Sequence, residues 1–107
     1  MDNGLYIQID EPGNDIRPDG TTSAVTVGFE GFFLDGTIFD STFQRGTAMR
    51  LLLNQLIEGF RIGLQSFGEG GTGTLYIPSY LAFGPAGEIG IPPNEPLIFD
   101  IQLISVL

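Results

Sequence analysis

The sequence predicts an α+β domain built from about five antiparallel strands and one short helix. Apolar and polar residues alternate in several short segments, and 16 glycines and seven prolines supply many turns between them. Only one segment has apolar residues at helical spacing. A length of 107 residues matches one domain with a sizeable buried core, so residues 1–107 are predicted to form a single domain.

Four strands are predicted in the first half of the chain. Gly4–Asp10 alternates apolar and polar residues, which is typical of a half-buried strand. Ser23–Leu34 predicts a longer strand, and the glycines inside it indicate a bulge or bend. Asp35-Gly36 is a strong hairpin signal, so Thr37–Thr42 is expected to return as the partner strand. Ala48–Leu53 predicts the fourth strand.

One helix is predicted over Leu56–Leu64, with Asn54 as its N-cap. Gly59 and Gly63 lie inside this segment, and each weakens an isolated helix by about 1 kcal/mol relative to alanine. We therefore expect the helix to be stabilised by packing against the rest of the domain.

The second half also predicts two strands, Thr74–Pro78 and Pro96–Leu107, after a turn at Gly68–Gly73. Between them lies Ser79–Asn94, which is rich in glycine and proline after Phe83. A loop of this length without structure of its own is usually functional in a compact domain.

The composition excludes several classes of chemistry. The chain has no histidine and no cysteine, and its four basic residues are all arginine. Catalytic triads, thiol catalysis, Schiff bases and metal sites built from histidine or cysteine are therefore impossible. The net charge of −9 argues against nucleic-acid binding. No apolar run approaches the ~20 residues of a membrane span.

Two segments near the start have their own interpretation. Glu11–Gly20 reads as a solvated acidic loop; a calcium loop is the alternative, but the spacing does not match that motif. Met1–Gly4 is polar, so no signal peptide is expected there, and the chain is compatible with a domain of a longer secreted protein.

Five motifs occur in a fixed order: VGFEG at 27–31, DGTIFDST at 35–42, LIEGF at 56–60, LYIPSYLAFG at 75–84 and IPPNEPLIFDIQLI at 91–104. Together they resemble the FKBP-type peptidyl-prolyl cis–trans isomerases, over essentially the whole chain. The opening GLYIQIDEPG also resembles bacterial members in which the isomerase domain follows another segment. The resemblance implies a bent antiparallel sheet wrapped around a short helix, with a proline pocket between them.

The resemblance also implies the pocket residues. Four would take part in catalysis: Asp40, Ile57, Phe83 and Phe99. Seven would bind the substrate: Phe29, Phe39, Met49, Leu51, Leu56, Phe60 and Ile91. In the family, the residue matching Phe60 forms the pocket floor, the backbone N–H matching Ile57 receives a substrate carbonyl, and the loop matching residues 84–93 overhangs the pocket.

This sequence departs from the family pattern at four pocket positions. The family favours tyrosine where this chain has Phe29 and Phe83, and tryptophan where it has Phe60. It often has an aromatic residue where this chain has Met49. The tyrosine hydroxyls help to hold the aspartate matching Asp40 and donate a hydrogen bond to bound ligand. The departures bear on catalytic efficiency and on affinity for macrolide inhibitors, not on the fold.

Without the motif order, these residues have simpler explanations. Nine phenylalanines in a small β-rich domain are equally explained as core, and Phe39 and Phe99 would be buried on strands in either case. Asp40 taken alone would be a surface or turn acid. Prolyl isomerisation nevertheless suits this composition, because rotation about an amide needs neither a nucleophile nor a proton transfer.

The function predicted from the sequence is isomerisation of X-Pro bonds in unfolded or flexible protein segments, without cofactor or metal. The alternatives are a weakly catalytic or non-catalytic binding or chaperone module of the same fold, and a structural domain of an envelope protein. By the resemblance, the partners are proline-containing polypeptides and macrolide inhibitors, and the domain is a monomer. The resemblance also slightly favours the cell envelope or periplasm over the cytoplasm.

Overall fold

The computed structural model describes residues 4–18, 24–41 and 49–106. Within these ranges, six strands form one antiparallel sheet in the order β1-β5-β6-β2-β3, and β4 pairs with β2. The strands are β1 Tyr6–Glu11, β2 Ala24–Phe32, β3 Ile38–Ser41, β4 Met49–Leu52, β5 Thr72–Ile77 and β6 Leu97–Val106. The predicted α+β class is confirmed; the six strands exceed the predicted total of about five by one, and each overlaps one of the six predicted segments.

The two longest strands, β2 and β6, carry much of the core. They pair from Val25 opposite Val106 to Phe32 opposite Ile98. Every second residue of β6 from Leu97 to Leu103 is at most 5% exposed, because alternate side chains of a strand point to the same face. This apolar face lies toward the helix, and it supplies one wall of the cavity described below.

The helix, α1, spans Glu58–Leu64 and packs against β5. Its two glycines make the close approach possible. A Cβ atom on Gly63 would lie 2.8 Å from both terminal carbons of Leu75, and one on Gly59 would overlap Ile77. The same glycines that weaken the isolated helix therefore allow it to lie directly on the sheet.

The helix starts later than predicted. Leu53–Gln55 forms a separate 3₁₀ turn, and α1 begins at Glu58. The N-cap is Ile57, which makes no side-chain capping hydrogen bond, so the prediction of Asn54 as the N-cap was wrong. Leu56 and Ile57 are extended, which ends the 3₁₀ turn before the α-helix begins.

Strand β5 also differs from the prediction, since it begins at Thr72 and takes in part of the predicted Gly68–Gly73 turn. Gly73 permits this, because a Cβ atom there would overlap the carbonyl oxygen of Gln8 in β1 and lie 2.8 Å from ring carbons of Phe67. Six residues at the predicted ends of segments lie outside the described ranges: Met1, Gly20, Ser23, Thr42, Ala48 and Leu107.

The hairpin predicted at Asp35-Gly36 is confirmed, since β2 and β3 are joined there as an antiparallel pair. Gly36 has φ +89°, a value that favours glycine. The N–H of Thr37 donates to Oδ1 of Asp35 at 2.9 Å. Two hydrogen bonds from Thr37 lower the pKa of Asp35 below its usual 3.8; the bond from the backbone has the larger effect and the bond from the side chain the smaller.

The described part of the acidic loop is tied to the turn after α1. The N–H of Asn14 donates to the carbonyl of Glu69 at 3.0 Å, and its side-chain amide donates to Glu69 Oε1 at 3.2 Å. The N–H of Val106 donates to Glu69 Oε2 at 2.9 Å. These hydrogen bonds lower the pKa of Glu69, and the one from the backbone of Val106 has a larger effect than the one from the side chain of Asn14. No group of three or more acids that could hold a metal ion occurs in the described ranges.

The described residues include no helix long and apolar enough to cross a membrane.

Candidate active site

A cavity of about 390 Å³ lies where the inner face of the sheet, the start of α1 and the loop after β5 meet. Most of its wall is apolar, and it is of the size range of small-ligand sites. Fourteen residues line it: Phe29, Phe39, Asp40, Leu51, Gln55, Leu56, Ile57, Phe60, Phe83, Glu88, Ile89, Gly90, Ile91 and Phe99.

Four phenylalanines form a connected cluster in this wall, with Phe99 at its centre. The ring of Phe99 lies 4.8 Å from that of Phe60, 5.5 Å from that of Phe39 and 5.8 Å from that of Phe29, measured between centroids. Each pair is edge-to-face, and such pairs contribute about 0.5–1.5 kcal/mol beyond their buried area. The cluster is therefore a rigid aromatic surface, and Phe29, Phe60 and Phe99 are at most 7% exposed.

A bulge in the hairpin brings Phe39 and Asp40 into the same wall. Neighbouring residues of a regular strand point to opposite faces. Here Gly31 pairs with Asp40 and the next residue, Phe32, pairs with Ile38, so Phe39 is the extra residue of β3. A Cβ atom on Gly31 would lie 2.6 Å from the ring of Phe39. Glycine at this position thus leaves the space that the ring fills.

The extended residues before α1 place a backbone donor at the cavity. Leu56 and Ile57 both line it, and Ile57 has φ −58° and ψ 151°. Within the described part of the chain, the N–H of Ile57 has no hydrogen-bond acceptor, whereas the N–H of Leu56 donates to the carbonyl of Leu53 at 3.2 Å. The Ile57 N–H is therefore available to a ligand carbonyl.

The loop after β5 covers one side of the cavity and has more internal structure than its sequence suggested. It contains two short 3₁₀ turns, Ser79–Leu81 and Gly84–Ala86. The N–H of Asn94 donates to the carbonyl of Gly84 at 2.8 Å, which joins the end of the loop to its second 3₁₀ turn. Phe83 precedes the second turn and lies half-buried at the cavity.

Two carboxylates, those of Asp40 and Glu88, are the charged groups among the lining residues. Oδ1 of Asp40 accepts the N–H of Ser41 at 2.9 Å. Oε1 of Glu88 accepts the N–H of Ile89 at 2.9 Å. Among the described lining residues none is basic.

Ten of the eleven residues predicted for the pocket lie together in this wall. The exception is Met49, which pairs with Val27 at the start of β4, is 37% exposed and does not line the cavity. Four lining residues had not been named individually: Gln55, Glu88, Ile89 and Gly90. The last three belong to the loop expected to overhang the pocket, whereas Gln55 was missed because the 3₁₀ turn was not foreseen.

Residues 17–104 match the family described as FKBP-type peptidyl-prolyl cis-trans isomerase. The chain belongs to this family. FkpA of Escherichia coli strain K12, named as an FKBP-type isomerase, is 39% identical over 103 residues, which cover 96% of this chain and 38% of that protein. The outer membrane protein MIP of Legionella longbeachae is 40% identical over 107 residues, covering 99% of this chain and 46% of that protein.

The crystal structure of FkpA from Escherichia coli matches the FKBP fold of this chain with a TM-score of 0.95. The two are 38% identical in sequence, and the match covers 99% of this chain and 49% of the other. An isomerase structure from Pseudomonas syringae matches with a TM-score of 0.89 at 33% identity, covering 97% of this chain and 76% of that one. The chain spans less than half the length of FkpA and MIP.

Proposed function

We propose that this FKBP domain catalyses cis–trans isomerisation of X-Pro bonds in unfolded or flexible polypeptides, and that the phenylalanine-lined cavity is its active site. The observation that carries the proposal is that the aromatic cluster around Phe99 and the backbone donor at Ile57 lie in the wall of one cavity. The chain that forms this cavity belongs to an isomerase family.

The chemistry requires only that the amide twist. Rotation about a peptide bond costs about 18–20 kcal/mol, because amide resonance is lost. The planar amide is more charge-separated than the twisted one. A cavity that replaces water with phenylalanine rings therefore disfavours the planar state relative to the twisted state.

The residues divide this work by position. Phe60 and Phe99, packed edge-to-face, form a rigid aromatic corner against which a proline ring can pack. The N–H of Ile57 holds a neighbouring carbonyl of the substrate, which fixes one side of the rotating bond. The carboxylate of Asp40 lies in the same wall, where it can interact with the partial positive charge of a substrate N–H. Phe83 closes the cavity from the loop side.

A second function of the same cavity is binding without useful turnover, as in a chaperone module. The specific observation in its favour is that Phe29 and Phe83 lack the hydroxyl groups that the family favours at these positions. Saturable peptide binding without acceleration of isomerisation would identify this case.

The test is a protease-coupled assay with a Leu-Pro peptide, comparing the wild type with Phe99→Leu and Phe67→Leu. Both changes shorten a phenylalanine that is at most 5% exposed, but only Phe99 lines the cavity. We expect the wild type to exceed the uncatalysed rate, which corresponds to tens to hundreds of seconds. Phe99→Leu should lose most of this activity, and Phe67→Leu should keep it per folded molecule.

Equal loss in both variants, after correction for the folded fraction, would contradict the assignment of the cavity as the active site. No acceleration by the wild type at high protein concentration would move the domain to the binding class.

The partners proposed with this function are proline-containing polypeptides, with macrolides as candidate inhibitors and a monomer as the state of the domain. The cell envelope is the favoured location, since one relative is named an outer membrane protein.

A further inference from the structure

We infer that this site prefers proline-containing segments that carry lysine or arginine next to the proline over segments that carry an acidic residue there, and that Glu88 is the residue that determines this preference. The inference rests on the proposed function and concerns the substrate class of the same cavity.

The charge at the cavity is the first observation. Glu88 places an exposed carboxylate at the cavity, and the lining residues in the described ranges include no base. The whole chain has 13 acidic and four basic residues. Apolar walls beside a charge reduce the screening that water provides, and they focus the field in a cleft. An incoming cation is therefore attracted to this opening, and an incoming anion is repelled.

The position of Glu88 is fixed by the backbone around it. Its N–H donates to the carbonyl of Ile91 at 3.0 Å, and the N–H of Ile91 donates to the carbonyl of Glu88 at 2.9 Å. Gly90, the third residue of this turn, has φ +82°. Positive φ at that position alone is the pattern of a type II turn. Since Ile91 is only 9% exposed, the turn is anchored in the cavity wall.

The carboxylate of Glu88 keeps capacity for a ligand. Within the described ranges it accepts a local hydrogen bond from the N–H of Ile89, and a carboxylate can accept about four hydrogen bonds. Within the described ranges it forms no ion pair with an arginine; the pair found there joins Arg61 to Glu58. Glu88 is exposed at the edge of the cavity, where it can meet a substrate side chain.

The neighbouring residue suits the stem of a long cationic side chain. Ile89 is 97% exposed and also lines the cavity. Lysine and arginine lay their methylene groups along apolar surface while the charged end stays in water. Ile89 offers such a surface directly beside the carboxylate of Glu88, so the pair can recognise both parts of a lysine or arginine side chain.

The experiment compares kcat/KM for peptides that differ only in the residue beside the proline: lysine, leucine or glutamate, placed before the proline in one series and after it in another. In at least one series we expect lysine to exceed glutamate by about two- to fivefold, which is the range of one partly exposed ion pair. Raising the ionic strength from 0.05 to 1 M should reduce the ratio toward one, using the Debye length of about 3 Å at 1 M.

The matched variants are Glu88→Gln and Glu95→Gln, which remove the same charge from the same loop; Glu95 does not line the cavity. Glu88→Gln should reduce the lysine-to-glutamate ratio, and Glu95→Gln should leave it as in the wild type. Equal kcat/KM for all peptides in both series would overturn the inference while leaving the isomerase proposal intact. An equal reduction in both variants would show that net charge, not Glu88, sets the preference. The absence of turnover with every peptide would instead refute the proposed function.

Discussion

Replacement of Gly63 by alanine tests how α1 is held on the sheet. Helix propensity alone favours the change by about 1 kcal/mol. The new Cβ atom, however, would lie 2.8 Å from Cδ1 and Cδ2 of Leu75, and Leu75 is fully buried, so neither group can move without disturbing the core. Overpacking of this kind costs about 1–3 kcal/mol. We therefore expect a net loss of stability of about 1 kcal/mol, measured from the urea unfolding midpoint at constant slope.

The control is the same change in a Leu75→Ala background. Leu75→Ala alone should cost about 2–5 kcal/mol, because it leaves a cavity in the core. In that background the new methyl group at position 63 meets no terminal carbons of residue 75, so Gly63→Ala should become neutral or stabilising. An increase of about 1 kcal/mol in wild-type stability on Gly63→Ala, or an equal effect in both backgrounds, would show that Leu75 does not oppose the new methyl group.

Three further predictions concern a hydroxyl group in the cavity, the stability in acid and the pH dependence of activity. Phe83→Tyr adds a hydroxyl group to a half-buried ring of the cavity wall, and it should tighten peptide binding by roughly 2- to 12-fold without changing stability. A loss of stability of about 1–3 kcal/mol without tighter binding would show that the ring belongs to the core. The pKa values of Glu69 and Asp35 are lower in the folded protein than the ordinary values of 4.5 and 3.8, so both carboxylates stabilise the fold above these pH values. This stability is lost as the pH falls below them, so the urea midpoint should fall in acid. It should fall less steeply in Glu69→Gln, which lacks one of the two groups. Isomerase activity should be flat between about pH 6 and 8, because the chain has no histidine, cysteine or lysine; a bell-shaped profile would contradict a mechanism without proton transfer.

Much of the fold follows from local sequence signals. Alternation along β2 predicts its buried face, the apolar run at 96–107 predicts β6, and Asp35-Gly36 predicts the hairpin that joins β2 to β3. The glycines of β2 predict a bulge or bend in that strand; the bulge beside Gly31 has its extra residue, Phe39, in the partner strand β3. Its consequence, that Phe39 and Asp40 share one wall, depends on strand register and could not be read from spacing alone.

The start of the helix could not be predicted, because it is decided by tertiary packing. Local propensity favours a helix from Leu56 with Asn54 as its cap. In the folded domain Leu56 and Ile57 are extended and line the cavity, so the helix starts only at Glu58. The lining residue Gln55 was missed for the same reason.

For some residues, the sequence alone does not predict whether they line the cavity. Glu88 reaches the cavity through the turn that ends at Ile91, which pairing and φ angles define. Met49 illustrates the opposite case: the motif pattern assigns it to the pocket, and its place at the start of β4 keeps it out of the lining.

The most direct measurement of the central claim is the set of intermolecular NOEs between the proline ring of a bound Leu-Pro peptide and the aromatic protons of the protein. Proline binding in the cavity predicts NOEs to Phe60 and Phe99, with cis–trans exchange of the same peptide accelerated in the same sample. NOEs confined to residues away from the cavity, such as the exposed ring pair of Tyr6 and Tyr76, would contradict it.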